Sequence, residues 1–470
     1  KLTKNIMLSL ALGTALSLVN VTGAATYNYI DIDYSGNGTS GSYQYGAVTG
    51  LTYNSAGILT NYTNTLTIAD VQGGNISLSA QNSTSDYTNS ILVYSQGRNS
   101  LDLSDVAVFA ADGTNAAGTA NAGKIIMQGD NNNITVGPYI SSIDMNGHKY
   151  TNSIKVINGG NAHLNIERAK NVTVEGSTVG IIYDTGDATN PGTVTIGANS
   201  TSGRIQYTYG DVTAAAKAIT GDIVNTTGNV TLTGSTSGAV SGTSGKVIVQ
   251  SGGVISSATN MGISLTGDSV TVDAASVTSI SVASDGIFLT RNDVTVKNGS
   301  TIQAGDGYGI NYTGWTIPHF VLTPTGGSVT LSGASTVIGS KGGIYHTSGN
   351  VVVTGNATNP AIVTGTTEDG IAYTTGNVKL ENAKVTGGTN GISATTGSVS
   401  LTDTTVTGTT GAGIKDVAGK VSLYTTEIYS QAGSGLVTDE GTRTTANTNS
   451  VYIEDTKVTG NGGDGINAKY

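Results

Sequence analysis

Aromatic and imidazole side chains gather in one irregular stretch of the sequence, residues 310–329. Tyr312, Trp315, His319 and Phe320 lie there among prolines, and Trp315 is the single tryptophan of the chain. Rings on a long loop can stack on a sugar or enter a pocket of a protein partner. We therefore predict a binding site made of these four residues. The alternative is a flap that folds back on the protein and buries Trp315 and Phe320.

Residues that could hold a metal ion or a cofactor do not cluster. The chain has no cysteine and 4 histidines, which are far apart in the sequence: His148, His163, His319 and His346. His346 is expected to be an outward, solvated side chain. The sequence therefore predicts no metal site and no cofactor.

Residues that could catalyse a reaction are equally dispersed. The segment Asn146-Gly147-His148-Lys149 is similar to the Gly-His-Gly element of pectin-degrading glycosidases, but the second glycine and a nearby aspartate pair are missing. Sugar cleavage needs paired carboxylates, and the acidic residues here are scattered. We predict no catalytic residue and no enzyme, with a polysaccharide lyase or hydrolase as the alternative.

A repeat in the second half of the chain must position these side chains. Each copy has an x-Val-x-Val pair, then one apolar residue, then a Gly-Ile step. Three successive copies begin at Val378, Val399 and Val421, which are 21 and 22 residues apart. Alternating apolar and polar residues indicate strands with one buried face, joined by Gly, Asn and Asp turns.

A period of this length indicates coils stacked on one another, because one coil alone cannot bury enough apolar surface to fold. Leucine-rich horseshoes need more leucine, propellers need a longer period, and calcium-binding nonapeptides need tandem glycine-rich copies. The predicted fold is all-β, a parallel β-helix solenoid, and right-handed by the general preference of parallel crossovers.

The first half of the chain is less regular. Residues 1–24 read as a short helical signal peptide, with Lys1 and Lys4 before an apolar run. Residues 25–75 are rich in tyrosine and predict an N-terminal cap or first irregular coils. Residues 76–170 predict irregular coils, and 171–470 the regular repeats, which look truncated at the C-terminus. No second apolar stretch is long enough to span a membrane as a helix.

Composition excludes some partners. The formal net charge is −10, which disfavours binding to a phosphate backbone, so nucleic acid is not an expected partner. Gly numbers 68 and charged residues are 11% of the chain, which suits many short strands and turns.

The signal-like segment and copies such as Gly376-Asn377-Val378-Lys379-Leu380 and Gly397-Ser398-Val399-Ser400-Leu401 resemble autotransporter passengers, or related haemagglutinin-like exoproteins, of diderm bacteria. The resemblance implies an adhesin, a self-associating protein or a display stalk at the cell surface or outside the cell. Its partners would be proteins or glycans of a host or neighbouring cell. It also implies an outer-membrane β-barrel downstream, which this sequence does not contain, so we expect a passenger fragment or another export route.

Overall fold

A computed structural model describes residues 164–258, 260–279, 284–317, 321–438 and 451–468, together with the strands between residues 30 and 161. Contacts divide the chain into two compact units, residues 1–220 and 221–470. Every regular element among the described residues is a β-strand. None of these residues belongs to a helix with the length and apolar character that a membrane crossing requires.

The first unit contains three main groups of strands and one hairpin. Its first sheet comprises Ile30–Gly36, Thr39–Tyr45, Gly74–Ala80, Ser100–Leu103, Asn133–Val136, Ser153–Val156, Asn171–Val174, Thr193–Ile196 and Val212–Ala214. Its second comprises Gly159–Asn161, Ser177–Val179, Thr201–Ser202 and Ile219–Thr220. Its third comprises Leu66–Val71, Ile91–Ser95, Lys124–Gln128, Ser142–Asp144, Asn165–Glu167, Ile182–Thr185 and Ile205–Thr208. The hairpin pairs Leu51–Tyr53 with Leu59–Tyr62.

Pairing within the first unit changes along the chain. Ile30–Gly36 pairs antiparallel with both Thr39–Tyr45 and Gly74–Ala80. From Gly74–Ala80 onward the first sheet is parallel, as in the pairing of that strand with Ser100–Leu103. The parallel arrangement is the one that stacked coils require.

The second unit repeats one coil of three strands. The first strands are Val230–Thr233, Val247–Gln250, Val270–Asp273, Val294–Lys297, Val329–Ser332, Val351–Thr354, Val378–Glu381, Val399–Thr402, Val421–Tyr424 and Val451–Glu454. The second strands are Thr236–Ser237, Val254–Ser257, Ser276–Ser279, Thr301–Gln303, Thr336–Gly339, Ala361–Gly365, Ala383–Gly387, Thr405–Gly408, Glu427–Ser430 and Lys457–Gly460. The third strands are Ile223–Thr226, Val240–Ser241, Ile263–Thr266, Ile287–Thr290, Ile310–Thr313, Ile344–Tyr345, Ile371–Ala372, Ile392–Ser393, Ile414–Lys415, Leu436–Thr438 and Ile466–Ala468.

The strands of successive coils pair in parallel and in register, each with its counterpart. Val378 pairs with Val399, and Ile392 with Ile414. The repeat period read from the sequence is therefore one turn of the solenoid, and the predicted parallel β-helix is confirmed. Its predicted right-handedness stays a prediction, and the predicted signal peptide, residues 1–24, lies outside the described residues.

The core consists of the repeated aliphatic residues. In one coil Val378, Val385 and Ile392 are 0% exposed and Leu380 is 1% exposed. The first and second strands contribute alternate side chains, as the alternation of apolar and polar residues predicts, whereas Ile392 and Ser393 of the third strand are both buried. Burial of this column between neighbouring coils is the main force that holds the stack together.

The glycine of each Gly-Ile step is required for close packing between coils. A Cβ on Gly413 would lie 2.5 Å from Cγ2 of Ile428, and one on Gly370 would lie 2.5 Å from Cγ1 of Val385. Both contacts are with the second strand of the following coil. The step is thus fixed by steric fit, since neither glycine has a positive φ.

Polar side chains before the first strands form a ladder along the outside of the second unit. The backbone N–H of Asn377 donates to Oδ1 of Asn350 at 2.8 Å, and that of Ser398 donates to Oδ1 of Asn377 at 2.8 Å. Lys420 continues the ladder through Oγ of Ser398. These bonds satisfy turn amides that strand pairing leaves over.

A column of threonines lies inside the second unit, at the third position after the buried Ile or Val that begins each third strand from Ile223 to Ile392. Neighbours in the column are paired, as Thr266 is with Thr290 and Thr290 with Thr313. Several of these hydroxyls are buried and have no hydrogen-bond partner among the described residues: Thr226, Thr243, Thr266, Thr290, Thr313, Thr347 and Thr374. Coils about 4.8 Å apart hold neighbouring hydroxyls too far apart to bond directly.

Candidate functional site

The irregular stretch after residue 310 forms a short hairpin on the second unit. Trp315–Thr316 pairs antiparallel with Thr323–Pro324. Nε1 of Trp315 donates to the backbone oxygen of His346 at 2.7 Å, and the indole is half-buried. Trp315 therefore anchors the hairpin to the next coil, while two of the predicted binding residues, His319 and Phe320, lie outside the described residues.

Three rings of successive coils stack face to face beside this hairpin. The ring centroids of Tyr312 and His346 are 4.4 Å apart with planes 5° apart, and those of His346 and Tyr373 are 5.0 Å apart with planes 9° apart. We call these three residues the aromatic column. Its spacing follows that of the coils, because each ring occupies the second position after a core Ile of a third strand.

Other rings meet the aromatic column at their edges. Phe288 lies edge-on to Tyr312 at 5.8 Å, and Trp315 lies edge-on to the same ring at 6.2 Å. Edge-to-face contacts of this kind add to the stabilisation that burial alone supplies. Tyr373 ends the column with 53% of its surface exposed.

The backbone at the column positions disfavours large side chains. Each of these positions has a positive φ, +56° at Tyr312, +50° at His346 and +53° at Tyr373. Glycine, asparagine and aspartate adopt this left-handed conformation most readily. The same position in other coils of the unit holds Asn225, Gly242, Leu265, Leu289, Ala394 and Asp416.

The other left-handed turn of the coil, after the first strand, follows the ordinary preference. It holds only small or polar residues in the second unit: Gly234, Ser251, Ala274, Asn298, Gly333, Asn382, Asp403, Thr425 and Asp455. Among the left-handed turns of the second unit, large side chains therefore occur only at the turn that holds the column, where Leu265 and Leu289 accompany the three rings. A backbone conformation held against residue preference is a mark of a functional surface.

The imidazole of His346 is held by a hydrogen-bonded chain. Its Nδ1 lies 2.9 Å from Oδ1 of Asn311, whose Nδ2 donates to Oδ2 of Asp285 at 3.1 Å. Since Asn311 turns its amide nitrogen to the carboxylate, its oxygen accepts a proton from Nδ1, and Nε2 is left as an acceptor. Burial lowers the pKa of His346, and the charge of Glu368 opposes that shift. The ring is thus neutral at pH 7, and the prediction of a solvated His346 was wrong because the stacked tyrosines cover both faces.

Two further tyrosines lie beside the aromatic column. The rings of Tyr308 and Tyr345 are 4.4 Å apart, and the hydroxyl of Tyr308 donates to Oε2 of Glu368 at 3.0 Å. Burial, together with Glu368, raises the pKa of Tyr308 to about 12. Oη of Tyr345 accepts the backbone N–H of Asp369 at 2.7 Å, and burial raises its pKa as well. Both phenols are therefore protonated at neutral pH and serve as hydrogen-bonding supports.

The buried carboxylates near the column have structural partners. Oδ1 of Asp285 accepts the N–H of Tyr308 at 2.7 Å, and Oδ1 of Asp369 accepts the N–H of Asn390 at 2.8 Å. Asn390 in turn accepts the N–H of Ala412 at 2.8 Å. Asp369, Asn390 and Ala412 precede three successive Gly-Ile steps, and Asp285 and Tyr308 precede two earlier ones. We call the bonds within these two groups the inner polar ladder. Burial raises the pKa of Asp285, although its bonds to Tyr308 and Asn311 favour the charged form.

Metal-binding groups do not gather among the described residues, where no three His, Asp or Glu side chains are placed to hold an ion. The first unit carries a smaller apolar feature, a shallow groove beside Tyr183. Tyr183 and Tyr207 meet edge-on at 5.3 Å there. The groove is lined by Asn165, Glu167, Ile181, Tyr183, Arg204 and Gln206. Because the rings of the second unit form a longer and parallel stack, we take the aromatic column and Trp315 as the candidate site.

The structure thus brings together two of the four predicted site residues, Tyr312 and Trp315. Sequence reasoning missed His346 and Tyr373. The signal that could have found them is their shared offset of two residues after the Ile of a Gly-Ile step. Comparisons of this chain with known protein families, with curated proteins and with solved structures give no match.

Proposed function

We propose that this chain is an exported, surface-displayed β-helix that acts by binding, as an adhesin, in self-association or as a display stalk, and that it is not an enzyme. The aromatic column is its binding surface. One observation carries the proposal: Tyr312, His346 and Tyr373 stack face to face at left-handed turn positions, a conformation that bulky rings adopt far less readily than glycine or asparagine.

The partner fits a protein or glycan on a host or neighbouring cell. Aromatic rings are the residues that most often dominate binding surfaces, and here they are held rigidly by stacking on one another. A rigid surface loses little conformational entropy on binding. The exposed apolar side chains of the adjacent hairpin extend the surface: Ile317 (44% exposed), Val321 (63%) and Leu322 (40%).

Export and surface location rest on the sequence. The signal-like segment of residues 1–24 and the glycine- and threonine-rich repeat support kinship with autotransporter passengers or related exoproteins. On that proposal the protein lies at the cell surface, associated with the outer membrane or released from it. A stack stabilised without any cysteine suits a protein that crosses a membrane unfolded and folds outside.

Catalysis on the same scaffold finds less support. A polysaccharide-cleaving site needs accessible carboxylates placed around the scissile bond. Asp285 and Asp369, the carboxylates below the column, are 6% and 8% exposed and bind backbone amides of the next coil. Their roles in the inner ladder explain them without chemistry.

The proposal is tested by attaching the purified chain to fluorescent beads and counting beads on cultured epithelial cells and on intact diderm bacterial cells. The test variant carries Tyr312→Asn, His346→Asn and Tyr373→Asn together. Asparagine keeps the left-handed turn while it removes the rings. We expect the unaltered chain to adhere to one of these surfaces and the variant to lose at least about tenfold in adhesion, as for the loss of binding hot spots.

The matched control changes a different ring pair of the same unit. Tyr424 and Tyr452 lie 5.3 Å apart on successive first strands, away from the column positions. A variant with Tyr424→Ser and Tyr452→Ser should adhere like the unaltered chain. Equal adhesion of the column variant and the unaltered chain would refute the assignment of the binding surface, and adhesion to neither cell type would refute the adhesive role.

A further inference from the structure

The aromatic column stops at Tyr373 and leaves a slot. Tyr373 stacks on His346 with one face, and the next coil places Ala394 at the equivalent position. One coil further on, the equivalent residue is Asp416. A methyl group thus stands where the previous coils hold rings, which leaves the second face of Tyr373 open.

The size of the slot matches one saturated ring. Two coils separate the levels of Tyr373 and Asp416, about 9.6 Å at the usual spacing of about 4.8 Å. Neighbouring rings of the column are 4.4 and 5.0 Å apart. A guest ring stacked on Tyr373 at that spacing lies level with Ala394, about midway between Tyr373 and Asp416.

The far side of the slot is charged. Nζ of Lys415 lies 3.4 Å from Oδ2 of Asp416, with the two side chains 42% and 38% exposed. An aromatic hydrocarbon in the slot would remove water from these charged groups and form no hydrogen bond to replace those lost. A guest with hydroxyl groups around an apolar face would stack on Tyr373 and bond both charges, because a hydroxyl donates to the carboxylate and accepts from the ammonium.

We infer that the slot between Tyr373 and Asp416 binds a pyranose ring, so that the partner of the aromatic column is a glycan. This inference rests on the proposed binding function and specifies its ligand. The C–H face of the sugar continues the stack of Tyr312, His346 and Tyr373. Ala394 provides the floor of the slot, and Lys415 and Asp416 bind the hydroxyl edge.

The experiment is saturation-transfer NMR on the full chain with single sugars as probes. Methyl β-D-galactopyranoside, methyl β-D-glucopyranoside and methyl α-D-mannopyranoside are tested separately, at about 20 mM because ligands of this size bind with a Kd of about 1 mM. p-Cresol, a flat ring without the sugar hydroxyls, is tested in parallel. We expect saturation of the ring C–H protons of at least one pyranoside, and weaker transfer to p-cresol.

Variants then locate the bound sugar. Tyr373→Phe keeps the stacking face and should keep the signal, whereas Tyr373→Ala should reduce it at least about fivefold, as stacking losses do. Ala394→Tyr fills the slot with a ring of the protein itself and should abolish the signal. Since this variant removes no existing contact of the column, its loss of binding cannot be ascribed to damage of Tyr373.

Three outcomes would overturn the inference: no transfer to any pyranoside, stronger transfer to p-cresol than to every pyranoside, or transfer that Ala394→Tyr leaves unchanged. The second outcome would indicate an aromatic side chain of a protein partner in the slot. The bead assay separates these failures from failure of the proposed function. If the column variant loses adhesion while no pyranoside binds, the aromatic column is still the binding surface, and only the inference that its ligand is a pyranose is refuted.

Discussion

Replacing Thr290 by valine tests whether the hydroxyl groups of the threonine column inside the second unit are without a hydrogen-bond partner. Thr290 is 0% exposed, and its hydroxyl has no hydrogen-bond partner among the described residues. A buried hydroxyl without a partner costs about 1–3 kcal/mol of stability. Valine keeps the branched shape and removes the hydroxyl. We expect Thr290→Val to raise the free energy of unfolding by about 1–2 kcal/mol.

Thr404→Val is the matched control. Thr404 is 2% exposed, and its hydroxyl donates to the backbone oxygen of Thr402 at 2.8 Å. That oxygen also accepts the N–H of Asn382 at 3.1 Å, so it stays bonded in the variant. The substitution removes one satisfied hydrogen bond and should lower the free energy of unfolding by about 1 kcal/mol.

Guanidinium unfolding followed by far-UV circular dichroism measures both changes on the full chain. The slope of the transition must stay the same in all three proteins, because a changed slope would mean a changed unfolding unit. Thr290→Val and Thr404→Val should shift the midpoint in opposite directions. A loss of more than about 1 kcal/mol in Thr290→Val, at constant slope, would refute the account of the column, since it would mean that the hydroxyl is bonded.

Three further outcomes are expected. Gly413→Ala should lower the free energy of unfolding by about 3 kcal/mol or more, because the new Cβ would meet Ile428. Gly299→Asn, at a φ of +75° and with open space around it, should lower that free energy by less than about 1 kcal/mol. Thermal unfolding measures both changes, and equal costs would contradict the steric account. Asp285→Asn should make the side-chain amide of Asn311 flip, so that the proton of His346 moves from Nδ1 to Nε2. In an NMR spectrum the ¹⁵N chemical shifts of the two ring nitrogens should then be exchanged. Unchanged shifts would refute the hydrogen-bonded chain. Because the pKa of His346 is lowered in the folded protein, the unfolded chain binds the proton first, and stability should fall as pH drops below about 6.5. The difference in unfolding free energy between the unaltered chain and His346→Phe should therefore stay constant above that pH. Below it, the unaltered chain should lose stability relative to His346→Phe. A difference independent of pH would contradict the assigned burial of His346.

The fold could be predicted from the sequence because every coil repeats the same one-sided pattern. Val378 and Val399 occupy equivalent places in the sequence repeat, and they pair in the structure. A single coil gives a weak signal, but many copies with the same spacing leave few alternatives. The Gly-Ile step was visible too, although the reason for its glycine, contact with the next second strand, appears only when coils are stacked.

The candidate site could be predicted only in part. Tyr312 and Trp315 stood out because the insertion interrupts the repeat. His346 and Tyr373 lie inside regular copies, 34 and 61 residues after Tyr312, and nothing in a linear reading places their rings together. Contact arises because all three share one offset within the coil. The inner ladder of Asp285, which decides the tautomer of His346, depends in the same way on contacts between coils.

The central claim is that the rings of the aromatic column are kept for binding and not for folding. Its most direct test is the free energy of unfolding of the variant that carries Tyr312→Asn, His346→Asn and Tyr373→Asn. The variant loses two stacking contacts and the two edge contacts of Tyr312, at about 1 kcal/mol each, and it relieves three left-handed positions, at about 1–2 kcal/mol each. We predict an unfolding free energy within about 1 kcal/mol of the unaltered chain. A loss of about 4 kcal/mol or more would contradict the claim, because it would make the column a part of the core.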